Sequence, residues 1–260
     1  FDYSLLIGVG IVALLFNTIG YFQGSSIALA VNGAKKIKKN DNPYLYNMVE
    51  NAAITAGIPM PDVYVMEDPS MNAFATGRDP KHSAVAFTTG IVQGLENEEL
   101  EGVVAHELSH IKNYDIRIAT LAVALVGVMM ILIDFFWHMG LFGGGRDEDN
   151  RSNPVFAIIG IILLILAPII GQMIQLAVSR RREFLADASG ALLTRYPEGL
   201  ARALEKIGAQ SRPMAHANHA TAHLFLNNPY GAKAKGFVNK FFSTHPPIEE
   251  RIAILRKMGQ

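Results

Sequence analysis

Charge is spread along this chain so unevenly that few folds can accommodate it. Residues 4–34 and 155–178 carry no charged side chain, and 118–145 carry only Asp134. A helix crossing the hydrocarbon core of a bilayer needs about 20 apolar residues. Leu5–Phe22, Ile118–Phe142 and Val155–Val178 are each long enough. Pro168 would break a soluble helix but is tolerated in a membrane one. Asp134 lies toward the end of its segment, where a carboxylate costs least, and Trp137 with the Gly143–Gly145 turn fits an exit at the interface. Two rival readings stand beside this one. The first segment reads as a cleaved signal peptide only if a missing charged n-region and an over-long apolar run are overlooked. The second reads alternatively as part of a buried soluble hairpin.

Basic residues set the orientation. Lys35, Lys36, Lys38 and Lys39 follow the first segment, and Arg180, Arg181 and Arg182 follow the third. Such clusters stay on the cytoplasmic side. The loop 143–154, with Asp147, Glu148 and Asp149, then lies outside. The expected organisation is a transmembrane helix in 1–34, a cytoplasmic part in 35–117, a transmembrane hairpin in 118–178, and a second cytoplasmic part in 179–260; the two cytoplasmic parts carry the motifs read below. The chain begins with Phe1 rather than Met, so a truncated or processed form is expected, with a further span upstream. The expected location is the plasma membrane, multi-pass, with the lipid bilayer as partner.

Outside the apolar stretches the chain has the composition of an ordinary soluble domain. Its 23 basic and 23 acidic residues cancel. No basic excess exists to neutralise phosphates, which argues against nucleic acid as a partner. The absence of cysteine excludes disulfides, thiolate ligands, iron–sulfur clusters and a cysteine nucleophile.

Local patterning predicts helices at Asn42–Ala56, Asn97–Asn113 with Asn97 as N-cap, Ser179–Thr194 continuing the third span, Pro197–Gln210, and Pro246–Met258 with Ile248, Ile252 and Leu255 on one face. Strands are expected at Val63–Met66 and Ala84–Thr88, with a short one between them at Asn72–Thr76 and turns at Asp68-Pro69 and Gly77–Pro80. Residues 211–244 are the least readable part. The fold class is a mainly α membrane protein with an α+β catalytic part containing a small sheet.

His106-Glu107-Leu108-Ser109-His110 is an H-E-x-x-H sequence on a predicted helix. Four residues make about 400° of turn, so both imidazoles face one way. Two neutral imidazoles define most of a tetrahedral zinc site, and Glu107 beside them can take a proton from water. A catalytic site needs a third protein ligand. The extended form with a third histidine is absent, because Asn113 and Ile116 occupy the positions of its glycine and histidine. Glu183 and Asp187, four apart on one face, supply a carboxylate alternative: Glu183 on the metal and Asp187 hydrogen-bonded to a ligand imidazole. Equally, both could pair with Arg180–Arg182 on a solvated face, and spacing does not choose.

Four blocks carry a resemblance. They are Asn72-Ala73-Phe74-Ala75-Thr76-Gly77; Glu101-Gly102-Val103-Val104-Ala105 leading into His106–His110; Arg180-Arg181-Arg182-Glu183-Phe184-Leu185-Ala186-Asp187; and Thr244-His245-Pro246-Pro247 with Glu250-Arg251. In that order they resemble the HtpX-type membrane zinc metalloproteases of bacteria and archaea. More distant relatives are the CAAX prenyl proteases and the mitochondrial inner-membrane stress protease. The resemblance implies a zincin-like domain with one zinc ion on His106, His110 and Glu183, Glu107 as general base, and Asp187 supporting the ligands. It implies that Asn72, Ala73, Phe74, Ala75 and Thr76 form an edge strand to which a substrate peptide adds. His245 is implied near the metal as an oxyanion donor; its alternative is a plain residue before a helix. Membrane-protein substrates, damaged or misassembled, and a role in stress response and protein quality control follow from the same resemblance.

The expected hairpin falls between His110 and Glu183, which would place the cleft at the membrane surface. An intramembrane protease is disfavoured, because Glu98, Glu99, Glu101, Lys112, Asp115 and Arg117 flank the motif and no L-D-G follows. A CAAX-type processing protease, a membrane scaffold with structural zinc, and a soluble metalloprotease remain as alternatives. His216, His219 and His223 make an H-x-x-H-x-x-x-H pattern without a carboxylate, a weak candidate for a second metal site. His82 and His138 read as plain surface or interface residues.

Overall fold

The computed structural model describes residues 18, 20–138, 179–210, 212–215, 221–230 and 246–259, with side chains as far as Val126 in the helix that ends at His138. Helical residues 20–31 (α1) lead into β1 (Lys35–Lys36) and α2 (Pro43–Ala56). There follow β2 (Asp62–Met66), β3 (Ala73–Asp79), β4 (His82–Thr88), α3 (Thr89–Gly94), α4 (Asn97–Lys112) and α5 (Asp115–His138). Further along come α6 (Arg180–Thr194), α7 (Pro197–Ala209), a single 3₁₀ turn (Ala222–Leu224) and α8 (Ile248–Met258).

The four strands lie in the order β1-β2-β4-β3, so β3 is an edge. β2 runs parallel to β4, and β3 returns antiparallel to it through a Pro80-Lys81 turn. Side chains alternate along a strand with period two, and here they divide between two cores. Ala73, Ala75, Val85 and Phe87 face α2, α4 and α7 through Leu45, Val49, Val104, Leu108 and Leu204. Phe74, Ala84 and Ala86 face the other way, against Ala28 and Leu29 of α1, Val123 of α5, and Phe225. The sheet is therefore a middle layer. Phe74 and Phe225 meet edge to face, centroids 5.2 Å apart.

Several expectations need correction. β3 is longer than expected because Gly77 continues the strand instead of ending it. Its φ of 146° is open to glycine, and a Cβ there would run into the His82 carbonyl. The N-cap of α4 is Glu96 rather than Asn97, since the Glu99 carboxylate reaches back to accept the Glu96 N–H at 2.8 Å. Helix α6 begins anew at Arg180. Ser179 is extended (ψ 120°), and its carbonyl accepts the N–H groups of Arg182 and Glu183, so it caps a helix rather than sitting within one. β1, α3 and the turn at Ala222–Leu224 were not expected. α2 matches expectation, with the Asn42 side chain accepting the Leu45 N–H.

Among the described residues no helix is long and apolar enough to cross a membrane. The expected span Val155–Val178 and most of Leu5–Phe22 fall on residues outside the described set, as do His216, His219 and His245; Ile118–Phe142 falls largely on α5, whose side chains are described only as far as Val126.

Candidate metal centre

Two helices build the centre. On α4, His106 and His110 stand one turn apart with their Nε2 atoms 3.1 Å from each other and their rings perpendicular. On α6, Glu183 brings Oε1 to 3.6 Å from His110 Nε2 and Oε2 to 3.8 Å from His106 Nε2. Two ligands about 2.05 Å from a tetrahedral ion lie about 3.3 Å apart, so this triangle has the size a small divalent cation requires. His106, His110 and Glu183 are the group among the described residues arranged to hold a metal ion. α6 can approach this closely because Gly190 faces the α4 backbone, where a Cβ would stand 3.0 Å from the His106 nitrogen.

The far side of each imidazole is tied to a carboxylate. His106 Nδ1 lies 3.0 Å from Asp187 Oδ1, and His110 Nδ1 lies 3.1 Å from Asp115 Oδ2. At His110 this hydrogen bond holds the proton on Nδ1 and leaves the Nε2 lone pair facing the ligand triangle, while at His106 the Asp187 charge beside Nδ1 favours the same tautomer. Behind Asp187, Arg251 of α8 donates through Nε at 2.8 Å and Nη2 at 2.7 Å, a two-pronged clamp. Arg251 is fully buried, and its Nη1 lies 3.7 Å from Glu183 Oε2. Behind Asp115, Arg182 of α6 brings Nε to 3.4 Å.

These neighbours set the charge of the centre. Burial alone would raise the Asp187 pKa, but the Arg251 hydrogen bonds and charge outweigh it and hold the carboxyl at about 2. Burial alone would lower the His110 pKa, but the Asp115 hydrogen bond and the charges of Glu183 and Glu107 raise it to about 9. A field that draws a proton so strongly also draws a cation, and a metal ion displaces that proton on binding. The donor set, two imidazoles and a carboxylate with carboxylates behind them, thus fits the metal that the sequence implies.

Above the triangle the space is small, about 30 Å³, room for a water or two. Glu107, 2% exposed, lines it with Ala75, Ile116 and Ala119. The roof is the segment around His223, Leu224 and Leu226. That segment lies along the free edge of β3: Leu226 N–H donates to the Ala73 carbonyl at 3.0 Å. The Asn72 amide both donates to the Asn227 carbonyl and accepts its N–H. His223 Nε2 lies 3.1 Å from the Ala119 carbonyl. On the other flank, Thr76 and Thr120 hydroxyls bond at 2.9 Å and tie α5 to β3.

The structure therefore brings His106, Glu107, His110, Glu183 and Asp187 together. It removes the alternative of a solvated Glu183–Arg face, since Glu183 is 4% exposed. Ala73–Thr76 lie on the sheet edge beside the centre, with Asn72 just before it, and all five side chains are buried. Sequence reasoning named Asp115 only as a flanking charge, Arg251 only within the C-terminal block and His223 only in a weak second metal pattern, and it missed the places they take here. Arg251 had a signal: it sits between Ile248 and Leu255 on the face of α8 expected to be apolar, and a charge in such a stripe calls for a buried partner.

Two imidazoles, one buried and one half-buried, and a buried carboxylate beside a sheet edge, with a carboxylate at hand for proton transfer, define a metalloprotease centre. The chain belongs to peptidase family M48, whose model matches residues 39–259. It is 47% identical over 256 residues to "Protease HtpX homolog" of Tropheryma whipplei (strain TW08/27), covering 98% of this chain and 86% of that one. To the protein of the same name from Dictyoglomus turgidum it is 47% identical over 250 residues, covering 96% and 81%. Among solved structures, S. mikatae Ste24p shares the fold, with a TM-score of 0.55 at 17% identity over 96% of this chain and 58% of that chain.

Proposed function

We propose that the chain is an HtpX-type zinc metalloendopeptidase that cleaves membrane proteins, damaged or misassembled ones among them, at the cytoplasmic face of the plasma membrane. The observation that carries the catalytic part is the convergence of three protein ligands, rather than four, beside Glu107 among the described residues. A closed four-ligand set would favour a structural zinc site. When bound there, zinc supplies Lewis acidity for the scissile carbonyl and lowers the pKa of water toward ~7. Glu107 takes the proton of the attacking water and delivers it to the leaving amide nitrogen. Asp187 and Asp115 hold His106 and His110 in one tautomer throughout. Ala73–Thr76 present backbone groups along which a peptide lies as an added strand, and the 223–227 segment must leave that edge first. His245 donates to the oxyanion.

The membrane part rests on the three apolar stretches and their basic flanks. A further feature supports it. The Arg78 guanidinium lies 5.1 Å from the Phe22 ring, and the Arg117 guanidinium 5.5 Å from the Tyr21 ring. Basic and aromatic side chains gather in this way where spans leave a bilayer. The test uses the full chain in membranes. Proteolysis of a membrane-protein substrate should vanish with a chelator and return with zinc, and carbonate extraction should leave the chain in the membrane. Cleavage that resists chelation, or release by carbonate, would overturn the respective half.

A further inference from the structure

Asp115 and Arg182 are distant in sequence but occupy equivalent places. Asp115 opens α5, which runs into the expected hairpin, and Arg182 lies in the first turn of α6, where the chain returns from it. Their side chains meet at 3.4 Å, and the other oxygen of Asp115 is 3.1 Å from His110 Nδ1. The local backbone makes this meeting possible. Tyr114 adopts a left-handed φ of 63°, a conformation that non-glycine residues avoid unless their surroundings impose it. It separates α4, which ends at Lys112, from α5, and Asp115 then meets the imidazole five residues before it.

We propose that Asp115 and Arg182 are a positioning pair for His110, joining the metal centre to both roots of the segment 116–179. The proposal rests on His110 being a metal ligand. Asp115 fixes the Nδ1 proton and the ring plane, and Arg182 fixes Asp115. Arg182 makes no fork. Its Nε and Nη2 are buried with no hydrogen-bond partner among the described residues, so charge alone holds it against Asp115. A contact of this kind depends on distance between the two roots and not on a rigid hydrogen-bond geometry. A change in the separation of α5 and α6 at their roots therefore moves Asp115 and, one bond further, the His110 ring. The partner limb offers no such path, because Arg251 comes from α8 and clamps Asp187 through two short bonds.

The test is zinc affinity, measured by competition with a chromophoric chelator on the full chain in lipid nanodiscs, together with the visible spectrum of the cobalt-substituted chain. Asp115→Asn should weaken zinc binding about 10- to 100-fold, and Arg182→Gln roughly 3- to 10-fold. Arg182→Lys, which keeps the charge, should restore most of the loss. The double variant Asp115→Asn/Arg182→Gln should bind no more weakly than Asp115→Asn alone, because Arg182 acts through Asp115. The cobalt spectrum should shift in Asp115→Asn and Arg182→Gln, while the melting temperature of the metal-free chain stays near wild type. Wild-type zinc affinity in Arg182→Gln, losses that multiply in the double variant, or a zinc loss that tracks a fall in metal-free stability in the Gln and Lys variants alike would each overturn the pair. A wild-type chain that binds no zinc would instead overturn the reading of the centre itself.

Discussion

The two halves of the metal centre use the same chemistry with different rigidity. On one side, His106, Asp187 and Arg251 form a buried series of short contacts whose last member is fully enclosed by the core. On the other, His110, Asp115 and Arg182 repeat the order with an ion pair in place of the clamp, and both imidazole and carboxylate are partly open to solvent. The closed half is anchored by helices of the folded core. The looser half is anchored at Asp115 and Arg182, the first turns of α5 and α6, which flank the apolar stretches of the sequence. The difference teaches which ligand the fold holds fixed and which it leaves adjustable.

Removing the clamp should have the largest effect. Arg251→Leu leaves Asp187 charged and buried without its cation, and should cost about 3–5 kcal/mol of stability, measured by chemical denaturation. A cost below about 1 kcal/mol would place the two limbs on an equal footing. Asp187→Asn should be nearly as damaging at neutral pH, and its cost should depend on pH in a defined direction. The Asp187 carboxyl is held at about 2 in the folded chain, below its unfolded value of ~3.9. Its contribution is present above about pH 4 and is lost as pH falls toward 2. Stability curves of wild type and Asp187→Asn should therefore converge between pH 4 and 2; parallel curves would show that Asp187 is not stabilised by Arg251.

Packing between the limbs comes next. Gly190→Val should push α6 from α4 and separate Glu183 from the histidines, reducing zinc affinity at least about tenfold with a stability loss of about 1–3 kcal/mol. Unchanged affinity would mean that α6 is placed by something other than this close approach. The smallest effect belongs to the joint of the looser limb. Tyr114→Gly relieves a left-handed side chain that is largely exposed, so stability should change by no more than about 1 kcal/mol. Zinc affinity should fall measurably, because Asp115 is held less firmly under His110.

Much of the centre was legible beforehand because its ligands come from motifs local in sequence. His106, Glu107 and His110 lie within two turns of one helix, and helical periodicity alone puts the imidazoles together. Glu183 and Asp187 had the right spacing, but only packing against α4 decides whether they face a metal or water. Asp115 was visible as a charge beside the motif, and its meeting with His110 depends on the Tyr114 backbone, which no periodicity announces. Arg251 owes its partner to the docking of α8, far along the chain. The helices were read well where caps and apolar stripes agree, as in α2 and α7. The roof over the centre was not, because a segment such as 221–227 is ordered by single hydrogen bonds to Asn72 and Ala73 and has no pattern of its own.

The most direct measurement compares zinc content and proteolysis in Glu107→Gln of the full chain. Glu107 lines the ligand triangle without belonging to it. The account predicts one zinc per chain, as in wild type, with cleavage lowered at least about 100-fold. Cleavage at the wild-type rate, or loss of the zinc along with the activity, would contradict it.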